Sequence, residues 1–139
     1  MHIETQCLHE GYKPGNGDPK ALPIYQSTTY TYDSTDHIGQ LFDLTAEGHM
    51  YSRISNPTVA AVEEKIAALE GGVGALCTTS GQAANLLAVL NICTAGDHFV
   101  AASTIYGGTV NLFAVTLKKF GIDCTFVDAD APVEELQKA

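Results

Sequence analysis

From residue 56 onward, apolar residues recur first at helical spacing and then in short runs that alternate between strand and helix lengths. Val59, Val62, Ile66 and Leu69 follow one another at steps of three and four, with Glu63, Glu64 and Lys65 between them, which predicts an amphipathic helix. Asn56-Pro57 supplies its start, because Asn accepts from free amides and Pro fits the first turn. Gly71-Gly72 supplies its end through a left-handed cap. Beyond it, Val73 to Thr78 has strand length despite Gly74, and Gly81 to Cys93 reads as a helix apolar nearly all round, which should be buried. His98 to Ala102 is a strand, and Gly108 to Phe120 is a helix carrying Val110, Phe113, Leu117 and Phe120 on one side. Ile122 to Val127 is a third strand, and Pro132 opens a last helix.

Strand and helix alternating through short connections imply an α/β fold, a mainly parallel sheet with helices on its faces. Residues 1–50 look different. Gly11, Pro14, Gly15, Gly17, Pro19 and Pro23 break any period, a Tyr/Thr-rich stretch runs from Tyr25 to Tyr32, and a weak helical pattern shows only from Asp36 to Leu44. The expected organisation is an extended arm over 1–55, packing on something else, followed by an α/β domain from 56 to 139.

Composition narrows the function. Acidic residues outnumber basic ones by 16 to 7, a net charge of −9, which argues against nucleic acid and against an acidic membrane surface as partners. The opening MHIETQCLHEGYKPG has neither the apolar core nor the basic lead of a signal peptide. The uncharged stretch from Gly71 to Gly96 is interrupted by Thr78, Thr79, Ser80, Gln82, Asn85, Asn91 and Thr94, so it reads as a strand, a turn and a helix rather than a membrane span. Cys7, Cys77, Cys93 and Cys124 form no CxxC or zinc-like pattern, and the five histidines no HxxH. The expectation is a cytoplasmic, reduced and metal-free protein whose thiols are small buried residues.

Three places carry candidate chemistry. Open parallel sheets bind ligands beyond the carboxyl ends of their strands. There, Thr78-Thr79-Ser80-Gly81-Gln82 passes from a strand into a helix and presents free backbone amides to an anion, unless Ser80 merely caps the helix. No GxGxxG follows a strand and no Walker-A pattern occurs, which removes most of the weight from dinucleotides and P-loop nucleotides. The loop Ser103 to Thr109 places Tyr106 beside Gly107 and Gly108; it is either an ordinary turn or a platform for a planar ring. Tyr51-Ser52-Arg53 holds the chain's one arginine, either a surface ion pair or a fork for phosphate. Together they suggest a phosphorylated planar cofactor, with pyridoxal 5'-phosphate as the candidate.

With those residues in view, the chain resembles the N-terminal third of the Cys/Met-metabolism family of pyridoxal-phosphate enzymes. The resemblance is carried by LPIYQSTTY at 22–30, YSRISNPT at 51–58, ALEGG at 68–72, TSGQAA at 79–84, GDH at 96–98 and YGGT at 106–109, in that order. Within the family, the ETxxLHEGY opening and LFDL at 41–44 look most like O-acetylhomoserine sulfhydrylases, and Gly108 stands where methionine γ-lyases typically carry Cys.

The resemblance implies a fold-type-I enzyme, here truncated, in a homodimer or tetramer that shares sites between subunits. It implies a transferase of methionine biosynthesis that makes homocysteine from O-acetylhomoserine and sulfide. Cystathionine γ-synthase or γ-lyase activity is the alternative within the family. Gly81 and Gln82 would bind the cofactor phosphate through backbone amides, with Ser80 lining the same pocket. Tyr106 would stack on the pyridine ring and assist proton transfer. Tyr51 and Arg53 would reach the phosphate of a neighbouring subunit's cofactor. None of Lys13, Lys20, Lys65, Lys118, Lys119 and Lys138 matches the family's Schiff-base lysine motif, so the 139 residues alone are expected to be an inactive fragment. Two readings compete: a truncated module that only binds a partner, and an unrelated α/β phosphate-binding domain.

Overall fold

The computed structural model describes residues 2–139. The chain forms two compact units, one running to Cys77 and the other from Thr78 to the C-terminus. The first contains helices α1 (Ile3–His9), α2 (Thr35–Phe42) and α3 (Pro57–Glu70). The second contains α4 (Gly81–Ile92), β1 (His98–Ala102), α5 (Gly107–Asn111), a π turn (Leu112–Thr116), α6 (Leu117–Lys119), β2 (Asp123–Val127) and α7 (Val133–Leu136).

The start of α3 organises the first unit. Asn56 caps the helix by accepting from the Thr58 amide at 2.9 Å, and Pro57 occupies the first position. Asn56 is only 8% exposed, and its Nδ2 faces three acceptors: the Tyr25 carbonyl at 3.0 Å, the Tyr30 hydroxyl at 3.1 Å and Ser52 Oγ at 2.9 Å. One side chain therefore ties the Tyr/Thr-rich stretch and the 51–55 turn to α3. Asn56→Ala removes the cap and strands these acceptors, and is expected to cost about 2–3 kcal/mol. Asn56→Asp keeps the cap and is expected to recover about 1 kcal/mol of it. Urea unfolding midpoints of the two variants check this.

The stretch before residue 50 is more ordered than its composition indicated. Ile3–His9 is a helix that packs on α3, although Gly and Pro crowd the residues after it. The contact requires Gly11: a Cβ there would lie 2.1 Å from the Ala61 carbonyl oxygen on α3, and its φ is +84°. An apolar groove of about 230 Å³ lies in this region, lined in part by Leu8, Leu22, Ala61, Val62 and Ile66. The expected stripe Val59, Val62 and Ile66 stays half exposed, and α3 buries Ala61 and Ala67 instead. Gly71 closes α3 in the left-handed conformation, at φ +68°.

Val73 to Thr78, expected as a strand, forms no ladder. Val73 is fully exposed, and the Cys77 amide donates to Glu63 Oε1 on α3 at 2.7 Å. A strand exists only through its neighbour, and none pairs with this segment among the described residues.

The second unit contains one βαβ arrangement. β1 and β2 pair in parallel, with His98 opposite Asp123 and Ala102 opposite Val127. The helical stretch between them packs Phe113 and Leu117 onto the pair, with Val89 and Cys93 from the α4 end and Ile122 from the start of the second strand segment. Phe99 meets Phe113 edge to face, with ring centroids 5.0 Å apart. Leu117 and Ile122 are fully enclosed. The expected helix Gly108 to Phe120 is present from Gly107 but passes through the π turn, and Phe120 lies beyond its end, exposed. Contrary to the expectation of a wholly buried helix, α4 buries only Val89 and leaves Leu87, Leu90 and Ile92 open. Among the described residues, no helix is long and apolar enough to cross a membrane.

Candidate cofactor site

The sequence TTSGQ gives α4 an N-terminus with unused donors. Ser80, in extended backbone, caps the helix: its Oγ accepts from the Ala83 amide at 3.1 Å, and its carbonyl accepts from the Ala84 amide. The Gly81 and Gln82 amides precede the first intrahelical bond and stay unpaired among the described residues. Nothing lies within 4 Å of where a Cβ on Gly81 would sit. Two free N–H groups, an open approach and the positive end of a twelve-residue helix dipole make a seat for an anion. The capping reading of Ser80 is realised, and its O–H remains available as a donor.

The Ser103–Thr109 loop brings Tyr106 to the same place. Tyr106 immediately precedes α5, and the residue is 76% exposed, so its ring is open to a ligand. It lies across Gly108, where an added Cβ would stand 2.5 Å from Tyr106 Cε1 and 3.3 Å from Gln82 Nε2. A side chain at position 108 would push the Tyr106 ring from the position it holds here.

The structure also brings in two residues to which the sequence reading gave no role. Thr109, 5% exposed, donates to Gln82 Oε1 at 3.0 Å and accepts from Asn85 Nδ2 at 3.0 Å. Thr109 was visible as the last letter of YGGT, and Asn85 falls one turn after Gln82 on α4. Only the three-dimensional meeting of α4 and α5 reveals their connection.

In the first unit, Tyr51 and Arg53 come together. The Arg53 guanidinium carbon lies 5.3 Å from the centre of the Tyr51 ring, a cation–π contact. The turn that carries them is fixed by the Thr29–Tyr51 bridge, by the Ile54 and Ser55 amides donating to the Tyr51 carbonyl, and by Ser52 donating to the Ser27 carbonyl. The alternative of a surface ion pair is not realised: Lys118–Asp123, at 3.8 Å, is the one ion pair among the described residues. Arg53 is exposed, and its fork is uncommitted.

The thiols differ from the expectation of small buried residues. Cys7 and Cys77 are exposed and only Cys93 is buried; all four are free. Burial pushes the Cys124 thiol above its ordinary value. No three His, Cys, Asp or Glu side chains gather around a common point among the described residues.

The sequence profile of the Cys/Met metabolism PLP-dependent enzymes matches residues 4–139. The chain belongs to this family. It is 49% identical over 140 residues to the O-acetyl-L-homoserine sulfhydrylase of Leptospira meyeri, a match covering 98% of this chain and 31% of that protein. It is 46% identical over 139 residues to the homocysteine/cysteine synthase of Kluyveromyces lactis, covering 99% and 31%. Among solved structures, the putative O-acetylhomoserine (thiol)-lyase of Campylobacter jejuni superposes with a TM-score of 0.93 at 36% identity, over all of this chain and 34% of that one. That crystal structure carries N'-pyridoxyl-lysine-5'-monophosphate at its position 205. The chain therefore has the N-terminal α/β portion of the fold-type-I architecture, and it spans about a third of the length of these relatives.

Proposed function

We propose that this chain supplies the phosphate seat and the ring platform of a pyridoxal-phosphate-dependent transferase that converts O-acetylhomoserine and sulfide into homocysteine and acetate. The observation that carries the reading is the grouping at the start of α4: unpaired Gly81 and Gln82 amides, the Ser80 hydroxyl and the exposed Tyr106 ring held over Gly108. A phosphate matches the two amides and the helix dipole, and a flat heteroaromatic ring matches the exposed ring of Tyr106. Tyr51 and Arg53 supply donors toward the phosphate of a neighbouring subunit, which accounts for an exposed arginine without an acidic partner. The assembly is then a homodimer or a tetramer, working in the cytoplasm.

When bound, pyridoxal phosphate supplies the electron sink on which substitution at the γ-carbon depends. This chain's residues hold and orient it. The amides neutralise phosphate charge, Tyr106 fixes the plane of the ring, and the Tyr106 hydroxyl is placed to pass a proton. None of the six lysines matches the Schiff-base motif that the family resemblance implies, which supports placing that lysine in the two-thirds of the relatives' length outside these residues. The 139 residues by themselves are accordingly inactive.

The test is to supply the full-length protein, loaded with pyridoxal phosphate, with O-acetylhomoserine and sulfide. Homocysteine and acetate are expected in equal amounts. A protein inert with sulfide that makes or cleaves cystathionine overturns the substrate assignment and selects the cystathionine enzymes of the same family.

A further inference from the structure

The hydrogen bonds of Thr109 run in one direction only. Its hydroxyl has a single proton. Asn85 Nδ2 has no lone pair to offer and must donate, so the Thr109 proton goes to Gln82 Oε1. The relay reads Asn85 to Thr109 to Gln82. With its oxygen held on the Thr109 side, the Gln82 carboxamide turns its nitrogen toward Gly108, 3.3 Å from where a Cβ would lie, on the side of the Tyr106 ring. Nε2 forms no hydrogen bond among the described residues, so two N–H donors are presented at the open end of the cluster. The buried end of the relay is rigid, since Thr109 is 5% exposed and its χ1 is restrained by β-branching.

We propose that Thr109 is a positioning residue: through Gln82 it locks α4 to α5, and so fixes the distance between the phosphate seat and the ring platform. It also orients the Gln82 amide nitrogen as a donor to an oxygen of the ligand lying between them. The inference rests on the cofactor reading above. A phosphorylated ring spans both parts of the site at once, so its affinity depends on their separation as much as on either part. Without the Thr109 hydroxyl, Gln82 loses the donor that sets its flip, and α5 can slide relative to α4. Thr109 is itself buried and acts through Gln82.

The experiment uses the full-length protein with Thr109→Val, which keeps shape and volume but lacks the hydroxyl, and Thr109→Ser, which keeps the hydroxyl. The readouts are pyridoxal phosphate affinity, by titration of the apo-protein, and the visible circular dichroism of the bound cofactor. Thr109→Val is expected to weaken affinity about tenfold and reduce the dichroism, and Thr109→Ser to stay within about twofold of wild type. Gln82→Leu should lower affinity similarly, and Thr109→Val should add little to it, because both break the same relay. The inference is overturned if Thr109→Val binds like wild type, if Thr109→Ser fails to restore binding, or if the Thr109→Val and Gln82→Leu losses are additive. Should Thr109→Val not fold, Thr109→Ala alone and combined with Gln82→Leu decides: a double loss no larger than that of Gln82→Leu supports the relay, and additive losses contradict it. A wild-type protein that binds no pyridoxal phosphate is a separate result, which defeats the cofactor reading and this inference with it.

Discussion

Tyr106→Ala in the full-length protein is expected to weaken pyridoxal phosphate binding by about 10- to 100-fold and to remove most turnover. Losing a stacked aromatic face costs about 1–3 kcal/mol where flat heterocycles sit on aromatic side chains. The position is favourable for such a role because Tyr106 is 76% exposed and its ring lies beside Gly108. Tyr106→Phe separates the two tasks given to this residue. It retains the face, so affinity should stay within about twofold, while loss of the hydroxyl should lower kcat by about 100-fold if it passes a proton. Affinity by cofactor titration and kcat by homocysteine formation give the two numbers independently. Equal affinity for wild type and Tyr106→Ala would show that the ring does not lie on this side chain.

Arg53→Ala is the second large effect. Removing a two-pronged donor from a phosphate costs about 1.5–3 kcal/mol, which is about 10- to 100-fold in cofactor affinity. Arg53→Lys should fall between, since an ammonium keeps the charge but not the fork. Because Arg53 serves a neighbouring subunit in this account, the effect has a distinctive signature. Co-expression of Arg53→Ala and Tyr106→Ala chains should recover part of the activity through mixed assemblies, in which one of two sites is intact. A defect confined to each subunit's own site predicts no recovery. The structure supports the choice of residue: Arg53 has no carboxylate partner among the described residues and lies against Tyr51, a neighbour that leaves its fork free.

Much of this was legible in the residues, for local physical reasons. Asn56-Pro57 and Ser80 announced helix starts because capping is decided within three residues of the chain, and both accept the amide expected of a cap. Gly71 announced a helix end in the same way, and β1 and β2 fell where short apolar runs placed them. What failed depended on distant partners. Val73 to Thr78 has strand composition but no neighbour to pair with, and α4 has the composition of a buried helix but buries only Val89. α1 escaped notice because its stability comes from packing on α3 rather than from its own period.

At the site, glycine and serine positions were readable because backbone geometry demands them. The grouping of Gly81 and Gln82 with Tyr106 in one unit was suggested by the loops alone. The Asn85–Thr109–Gln82 relay was not, because it joins residues 24 and 27 positions apart through side chains. Arg53 was singled out by its rarity, and only the structure disposed of the ion pair that would have made it ordinary.

The central claim is that the start of α4, together with Arg53 of a neighbouring subunit, is built for the phosphate of a ring-bearing cofactor. Its most direct test compares pyridoxal 5'-phosphate with pyridoxal, which has the same ring and aldehyde but no phosphate, in titrations of the full-length apo-protein. The account predicts that the phosphorylated form binds at least about 100-fold more tightly and that Arg53→Ala removes a large part of that preference. Equal affinities for the two compounds in the wild-type protein would contradict it.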